Sequence, residues 1–332
     1  KGAIGSGLSA LKRKVAGPLG QKEGTHTTDA FEIDKMLIDT WKDVYNGNSA
    51  SHNDLVAAFR AEYGRLFYTR KINGQKAKFK LNPLKGADIK ATCKEAKFSA
   101  AGLDQWATQD FAILSDDAYE WLANMFNTIE AGALWPEPTL HAKGVYLLKD
   151  PDGKGDPLNY RILLVTSVPY RRYAVTRLRQ CNNWIGEWAT PDMFAGIAGM
   201  SAEEAWSSTA LHLERASLQG KPATDASVDI HKCFDQLVRE LLYERLEQAG
   251  CPDVLLTTYK SFLEHVLLHN FINGLVGQGH LHRCGIPQGC PLSMPPCHFF
   301  SGIGRFLLMM RDVNRDLWLM TSCFLPSATV MR

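Results

Sequence analysis

Two aspartates, Asp229 and Asp235, stand at either side of a short segment that could support metal-dependent chemistry. The run Ser227–Ile230 is predicted to be a strand, so Asp229 comes at its end and a helix begins at Asp235. Carboxylates at a rigid strand end can hold divalent cations, which activate a hydroxyl and neutralise phosphates. The alternative is structural: Asp229 is then a turn residue and Asp235 caps the following helix.

A second run, Arg283–Ser293, gathers glycines, prolines and a glutamine into one short turn. Glycine and proline together allow close backbone approach and fix a stiff geometry. Gln288 offers both a donor and an acceptor, which is what recognition of a nucleotide requires. Taken alone, the run is equally compatible with an ordinary turn before a helix.

The two runs together resemble the palm of reverse transcriptases. Asp229, with Lys232, Phe234 and Asp235, is similar to the first palm motif of that family, and Gly285–Ser293 is similar to the second. Both occur in the family's order, with a predicted helix and hairpin between them. The resemblance is strongest to the enzymes of non-LTR (LINE-like) retrotransposons and group II introns.

Upstream segments extend the resemblance to the fingers. Lys97–Trp106 is similar to the segment that opens the fingers, although Gln105 replaces the family's glycine. Gly144–Lys149 and Asn159–Ile162 resemble the fingers hairpin, with Leu163 where the family has proline. Together with Phe194–Ala205, these matches cover roughly residues 90 to 310, whereas residues 1–90 resemble no segment of the family.

The resemblance implies roles for several side chains and a magnesium cofactor. Asp229 would be the first metal ligand and catalytic carboxylate, and Mg²⁺ would be the metal. Lys232 would offer its backbone N–H to phosphate and leave its side chain in solvent. The remaining positions would bind substrate: Phe234 under the incoming sugar, Gln288 and Gly289 beside the nucleotide and template base, and Lys149 and Arg161 at the triphosphate. Phe234 as a buried aromatic and Lys149 as a solvated hairpin charge stay open as alternatives.

Four arginines lie on one predicted helix, Tyr170–Trp188, and are candidates for binding nucleic acid: Arg171, Arg172, Arg177 and Arg179. They span more than two helical turns and therefore do not share one narrow face. We expect some of them to contact template phosphates and the rest to be solvated charges.

One departure from the family is large. No Tyr-x-Asp-Asp follows Ser293: Asp312 and Asp316 are not adjacent, and the one adjacent pair, Asp116–Asp117, lies upstream. Because hard cations need several oxygen ligands, a single carboxylate would fix them poorly. The isolated chain is therefore predicted to be inactive, as a truncated gene model, a decayed retroelement copy or one exon of a longer product.

Two other functions fit parts of the sequence. The first is a nucleic-acid-binding remnant without catalysis, in which the fingers still hold template backbone. The second is a metal-binding module, because several potential zinc ligands are close in sequence: His265, His269, His280, His282, Cys284 and Cys290. Neither HExxH nor Cys-x-x-Cys is present, so this pattern favours ordinary core or surface residues.

The elements that would position these residues alternate between helices and short strands, which predicts an α+β fold: right-hand polymerase fingers with an incomplete palm. Helices are predicted over 29–67, 116–130, 170–188, 201–215, 235–249, 255–268 and 306–317. Hairpins are predicted over 144–168 and 271–283, the second with its turn around Gly277. The predicted organisation is a flexible basic tail (1–25), a helical N-terminal region of unknown role (26–90), fingers (91–220), partial palm (221–317) and an atypical C-terminal tail (318–332).

Composition is compatible with this assignment without requiring it. The 332 residues carry 37 Lys and Arg against 35 Asp and Glu, a formal net charge of +2, and 45% are hydrophobic. A protein that binds RNA template, DNA primer and dNTPs needs only one positive face, so near-neutrality excludes nothing. The eight cysteines are scattered, as expected for reduced thiols of an intracellular protein of unknown compartment. We find no signal-peptide pattern and no run apolar enough to suggest a membrane partner.

Overall fold

The computed structural model describes residues 8–46, 52–69, 79–189, 194, 196–197, 199–222, 226–227, 232–293 and 319–320, and these form an α+β fold. The helices of this part are α1 (Ala30–Tyr45), α2 (His52–Thr69), α3 (Gly86–Lys94), α4 (Asp116–Glu130), α5 (Val168–Gln180), α6 (Asn182–Trp188), α7 (Ala202–Leu218), α8 (Cys233–Gln236), α9 (Arg239–Gln248) and α10 (Asp253–His265). Its strands are β1 (Leu11–Lys12), β2 (His26–Thr27), β3 (His141–Leu148), β4 (Tyr160–Val165), β5 (Ala226–Ser227), β6 (Leu267–Ile272), β7 (Leu275–Val276) and β8 (Leu319–Met320).

The largest sheet in the described part of the chain has four strands in the order β4-β3-β6-β7. Strands β3 and β4 form the predicted antiparallel hairpin, with Tyr146 opposite Ile162. Strand β6 runs parallel to β3, and β7 returns antiparallel to β6. Strand β4 therefore forms one edge of this sheet.

One face of the sheet is covered by α1. Ile33, Leu37 and Trp41 are buried, and they repeat at the four-residue spacing that keeps one side of a helix apolar. They pack with Tyr146 and Ile162 from the hairpin in one hydrophobic cluster. The helix begins at Asp29, whose side chain accepts a hydrogen bond from the amide of Glu32 (2.8 Å).

The larger hydrophobic core lies among the helices α3, α4, α5, α9 and α10. Aromatic rings from distant parts of the chain meet there, among them Phe126, Trp135, Tyr173 and Phe262. Trp135 makes edge-to-face contacts with Tyr173 (centroids 5.2 Å apart) and Phe262 (5.7 Å), an arrangement that aromatic pairs favour. This core fixes helix α5, which carries the four arginines, and the turn after residue 283.

The N-terminal segment belongs to the fold from Leu8 onward, whereas the sequence predicts a flexible tail over residues 1–25. Leu8 and Leu11 are buried in the cluster beneath α1, and β1 pairs with β2. Arg13 forms a two-point ion pair with Glu32 (2.6 and 2.7 Å). Gly, Ser and Lys in this segment favour disorder, but Leu8 and Leu11 pack on an apolar surface provided by residues far along the chain.

Several predicted elements differ from the structure. The single helix over 170–188 is two helices, α5 and α6, which meet at Cys181. The helix over 255–268 ends at His265, because the chain then becomes extended and pairs with β3. The second hairpin turns at Asn273–Gly274 rather than near Gly277, with both turn residues at positive φ (50° and 86°). An Asn-Gly dipeptide is the residue pair that such a two-residue turn favours.

Candidate functional site

The segment after the predicted metal ligand is held in an unusual conformation. Asp229 itself, and the end of the predicted strand at Ile230, lie outside the described residues. Lys232 has φ +48°, in the left-handed region, and reverses the chain into the four-residue helix α8. The predicted helix 235–249 is then interrupted at Leu237 and Val238, because Val238 forms a β-bridge with Cys284.

The glycine- and proline-rich turn docks directly on this segment. The amide of Gly285 donates to the carbonyl of Leu237 (2.7 Å), and that of Ile286 donates to the carbonyl of Phe234 (2.8 Å). Gly285 has φ +85°, and a Cβ there would lie 2.8 Å from the carbonyl oxygen of Asp235. A side chain would therefore separate the two backbones, which explains the glycine.

The same turn also contacts the hairpin. The amide of Leu164 in the edge strand β4 donates to the carbonyl of Gln288 (3.1 Å), and Gly289, at φ +111°, lies beside the carbonyl of Leu164. The side-chain oxygen of Gln288 is buried and has no hydrogen-bond partner among the described residues. A buried acceptor left unpaired is costly, so a ligand that donates to it would be favoured.

A cleft opens where these segments meet. Its lining includes Phe234, Asp235, Gly285, Pro287 and, from the hairpin, Leu164. Phe234 is half-buried and packs against the larger hydrophobic core. It can therefore be both a packed aromatic residue and a ring that faces a bound sugar. The lining is completed by residues that the sequence gives no role at a nucleotide site: Tyr45, Ala142, Arg239, Val266, Leu268, His282, Cys284 and Ile286.

Lys149 and Arg161 lie on the hairpin that borders this region. Lys149 is exposed, and its amide extends the β3–β4 ladder by donating to the carbonyl of Asn159 (3.0 Å). Arg161 is half-buried opposite Leu147, and burial lowers the pKa of its guanidinium. Because strand side chains alternate, Lys149 and Arg161 project from the same face of the hairpin.

Charged groups beside the cleft are held in a poorly solvated setting. Burial raises the pKa of Asp235 to about 6, against the opposing effect of the Lys232 and Lys149 charges. Burial, followed by the positive charge of Lys149, lowers the pKa of Lys232 to about 8. Strong perturbation of several neighbouring groups is typical of functional sites.

The side chain of Lys232 is buried, so the prediction that it extends into solvent is wrong. Its ammonium lies 3.9 Å from the centre of the Trp41 ring and donates to the carbonyl of Leu158 (3.1 Å). Its stem covers apolar surface that solvent would otherwise reach.

The four arginines of α5 do not form a free basic surface. Arg177 is fully buried in an ion pair with Glu130 (Nε to Oε1, 2.6 Å) and also donates to the carbonyl of Asn82 (2.9 Å). Arg172 is buried and donates to the carbonyl of Thr92 (3.0 Å). The interpretation of Arg172 and Arg177 as phosphate contacts is therefore wrong, because both guanidiniums are engaged inside the protein.

The other two arginines are more accessible. Arg171 is half-buried and donates to the hydroxyl of Ser99 (2.6 Å) and the carbonyl of Ala100 (2.9 Å). Arg179 is exposed and pairs with Glu95 (2.8 Å), an arrangement that costs little to break in water. Of the four, Arg179 keeps the clearest access to a phosphate.

The segment that resembles the opening of the fingers anchors α5. Asp104 accepts a hydrogen bond from the amide of Val168 (3.1 Å), and Ser167 caps the same helix through the amide of Tyr170. A carboxylate at a helix N-terminus satisfies a free amide and complements the helix dipole. Gln105, where the family has glycine, adopts positive φ (60°), so the backbone keeps the conformation that glycine would favour.

The zinc alternative finds no convergent ligands in the described part of the chain. His265 ends α10 and His269 lies in β6, so they do not share a helical face. Cys284 and Cys290 are buried, and no group of three or more His, Cys, Asp or Glu among the described residues could hold a metal ion. Among the described residues, Asp235 is the carboxylate that lines the cleft. One carboxylate is too few to form a magnesium site.

Comparison with known proteins adds no relative: no protein-family model matches the chain, and no curated protein is detectably similar to it. No helix in the described ranges has the length and apolar character needed to cross a membrane. A functional assignment therefore depends on the residues around the cleft and their geometry.

Proposed function

We propose that the chain is a reverse transcriptase-type domain that binds a template–primer and an incoming nucleotide between fingers and palm. As a 332-residue polypeptide it binds these ligands and does not extend the primer. The observation that supports this most strongly is the backbone contact between Phe234–Leu237 and Cys284–Gln288. Two segments that resemble separate palm motifs would need to meet in this way to form one nucleotide pocket.

Phe234 in the lining of the cleft, and Gln288 and Gly289 in the turn beside it, carry groups that suit a nucleotide. Phe234 provides an aromatic wall, and a ring beneath the sugar would disfavour a 2′ hydroxyl and select deoxynucleotides. The unpaired side-chain oxygen of Gln288 can accept a hydrogen bond from the ligand. Gly289 is exposed and leaves its backbone accessible beside the carbonyl of Leu164.

The hairpin supplies positive charge for phosphates. Lys149 and Arg161 lie on one face, and neither forms an ion pair with another described residue. Arg can bind two phosphate oxygens at once, and Lys contributes a mobile point charge. Lys149 lies close enough to Lys232 and Asp235 to act on both charges, so it would hold phosphate beside the cleft. Arg161 lies on the strand face opposite Leu164 and would act from the hairpin face that turns away from α1.

Catalysis needs more carboxylates than this polypeptide provides. Residues 294–332 contain Asp312 and Asp316 but no adjacent acidic pair. Two divalent cations activate the primer hydroxyl and neutralise the triphosphate when they are bound, and they require several oxygen ligands. We therefore propose ligand binding without primer extension.

The test is binding of a labelled RNA template–DNA primer to the full chain over a salt series, in the presence of Mg²⁺. The dissociation constant should rise steeply with salt, because phosphate contacts release counterions. Lys149→Gln and Arg161→Gln should leave this binding unchanged and should each weaken the binding of a dNTP to the protein–template–primer complex, because both side chains are assigned to the triphosphate. Lys90→Gln is the matched control, because that lysine pairs with Asp116 on the surface of α3 and α4.

Two results would count against the proposal. Salt-independent binding, or none, would remove the template–primer from the assignment. Primer extension that is lost in Asp229→Asn would instead show that the polypeptide is an active enzyme, and would overturn the predicted inactivity while leaving the family assignment in place.

A further inference from the structure

The N-terminal helix α1 reaches every segment that forms the cleft. Asp34, Trp41 and Tyr45 follow one another at spacings of seven and four residues, which places them along one face of the helix. Each contacts a different part of the site. The sequence assigns no role to residues 26–90. These contacts give α1 a role in holding the segments around the cleft.

Trp41 joins the hairpin to the first motif segment. Its indole N–H donates to the carbonyl of Pro157 (3.2 Å), and its ring lies under the ammonium of Lys232 at 3.9 Å. A cation over an aromatic face, shielded from water, is held more strongly than at an exposed site. Lys232 is a left-handed, non-glycine residue, and such a conformation persists only when its surroundings impose it.

Tyr45 holds the second motif segment. Its carbonyl accepts a hydrogen bond from the amide of Cys284 (2.9 Å), immediately before Gly285. Its ring stacks on His282 with centroids 3.4 Å apart and an angle of 16° between the planes. Tyr45 also lines the cleft directly.

Asp34 holds residues 277–283, the segment that connects β7 to this turn. One carboxylate oxygen accepts from the amide of Gln278 (3.0 Å), and the other accepts from the side chain of Asn270 (2.7 Å). Because Asn270 belongs to β6, Asp34 connects this segment to the sheet as well as to α1. The position of the turn therefore depends on α1 at two points, Asp34 and Tyr45.

We infer that α1 is a functional part of the ligand site, in which Trp41 and Tyr45 are positioning residues that set the distance between the two motif segments. The identity of the ligand rests on the proposed function; the role of α1 in holding Lys232 does not. Loss of the Trp41 ring should release Lys232, change the path of the first motif and weaken ligand binding.

The experiment compares Trp41→Leu with Phe31→Leu in the full chain. Both remove a ring from α1, but Phe31 is 77% exposed and lies away from the cleft. The first readout is the pH dependence of Lys232 acetylation by acetic anhydride, measured by mass spectrometry relative to Lys90. The second is the dissociation constant for the RNA template–DNA primer.

Trp41→Leu should raise the pKa of Lys232 from about 8 toward its ordinary value, which shifts the pH dependence of its acetylation upward, and it should weaken template–primer binding by about five- to tenfold, the scale of a desolvated cation–π contact. Phe31→Leu should leave that pH dependence as in wild type and the affinity within about twofold of it, since isolated surface rings contribute little. A folded Trp41→Leu protein that matches wild type in both readouts would overturn the inference. If wild type fails to bind the template–primer while the acetylation difference persists, the proposed function fails and the role of Trp41 stands.

Should Trp41→Leu lose its cooperative unfolding transition, Lys232→Met is the second variant. It keeps the apolar stem and removes the ammonium that Trp41 holds. We expect a similar weakening of template–primer binding, and unchanged affinity would contradict the positioning role. Trp41→Phe, which retains a ring for the cation, should bind within about threefold of wild type.

Discussion

Asp235 illustrates at the residue scale how this site differs from an ordinary surface. Its carboxyl lines the cleft, and burial raises its pKa to about 6 despite two nearby lysines. Raising the pKa of a carboxyl means that folding disfavours the ionised form, so the charge destabilises the protein at neutral pH. Functional sites commonly keep such groups at a cost in stability.

Replacement of that carboxylate should stabilise the protein. Asp235 is favoured protonated in the folded state, so wild type should lose stability as the pH rises from about 4 to 6. A pKa raised from 3.8 to about 6 corresponds to at most about 3 kcal/mol. Asp235→Asn should therefore be about 1–3 kcal/mol more stable than wild type at pH 7.5 and nearly equal to it at pH 4.

Urea unfolding of both proteins at several pH values measures this difference. Asp39→Asn is the control, because Asp39 lies exposed on α1 and surface changes usually stay within about 0.5 kcal/mol. If the stability gap between Asp235→Asn and wild type does not widen between pH 4 and 7.5, the carboxyl is not desolvated as the structure shows.

The arginines mark a limit of sequence reasoning at this scale. A basic run on a predicted helix indicates charge, but not whether a partner buries it. The partner of Arg177 is Glu130, which lies 47 residues away in α4, and only tertiary packing brings them together. Lys232 shows the same limit, because Trp41 reaches it from a helix near the N-terminus.

At the scale of elements, the docking of the turn on α8 depends on Gly285. Alanine at this position meets two penalties: a positive φ of 85° and a Cβ only 2.8 Å from the carbonyl oxygen of Asp235. Gly285→Ala should destabilise the protein by about 2–4 kcal/mol, since backbone strain and overpacking add. It should also weaken template–primer binding, because the turn moves away from Phe234. Urea unfolding and the binding assay measure the two effects.

Gly274→Ala separates the two penalties. Gly274 has nearly the same φ (86°), but a Cβ there would meet no atom within 4 Å. Its cost should be the backbone term alone, about 1 kcal/mol. Equal losses in the two alanine variants would mean that close approach to Asp235 does not matter.

Elements defined by local chemistry were predictable, and those defined by distant partners were not. Helix α4 has the predicted bounds, because Ser115 caps it and its apolar residues repeat at helical spacing. The end of α10 was not found, since Val266, Leu267 and Leu268 continue the helical pattern. These residues become extended because Leu267 and Leu268 pair with β3, more than a hundred residues earlier. Asn273–Gly274 did carry a local signal for its turn.

At the scale of the whole molecule, the cleft is assembled from five regions of the chain: α1, the β3–β4 hairpin, the start of β6, the segment from Lys232 and the turn from Cys284. The last two are short runs whose composition draws notice in the sequence. The roles of Trp41 and Tyr45 cannot be recognised there, because an aromatic residue at helical spacing predicts only a buried face. The α+β class follows from local patterns, whereas the contribution of α1 to the site requires the tertiary structure.

The N-terminal segment tests whether this assembly extends to the start of the described chain. Leu11 is fully buried beneath α1, whereas Leu19, eight residues later, is 88% exposed. Leu11→Ala should destabilise the protein by about 2–4 kcal/mol through lost burial and a cavity, and Leu19→Ala by less than about 0.5 kcal/mol. Urea unfolding measures both. If the segment were a flexible tail, both substitutions would leave the free energy of unfolding unchanged. Because Leu11 packs in the same cluster as Trp41, Leu11→Ala should also shift the pH dependence of Lys232 acetylation upward, which would link the first strand to the cleft.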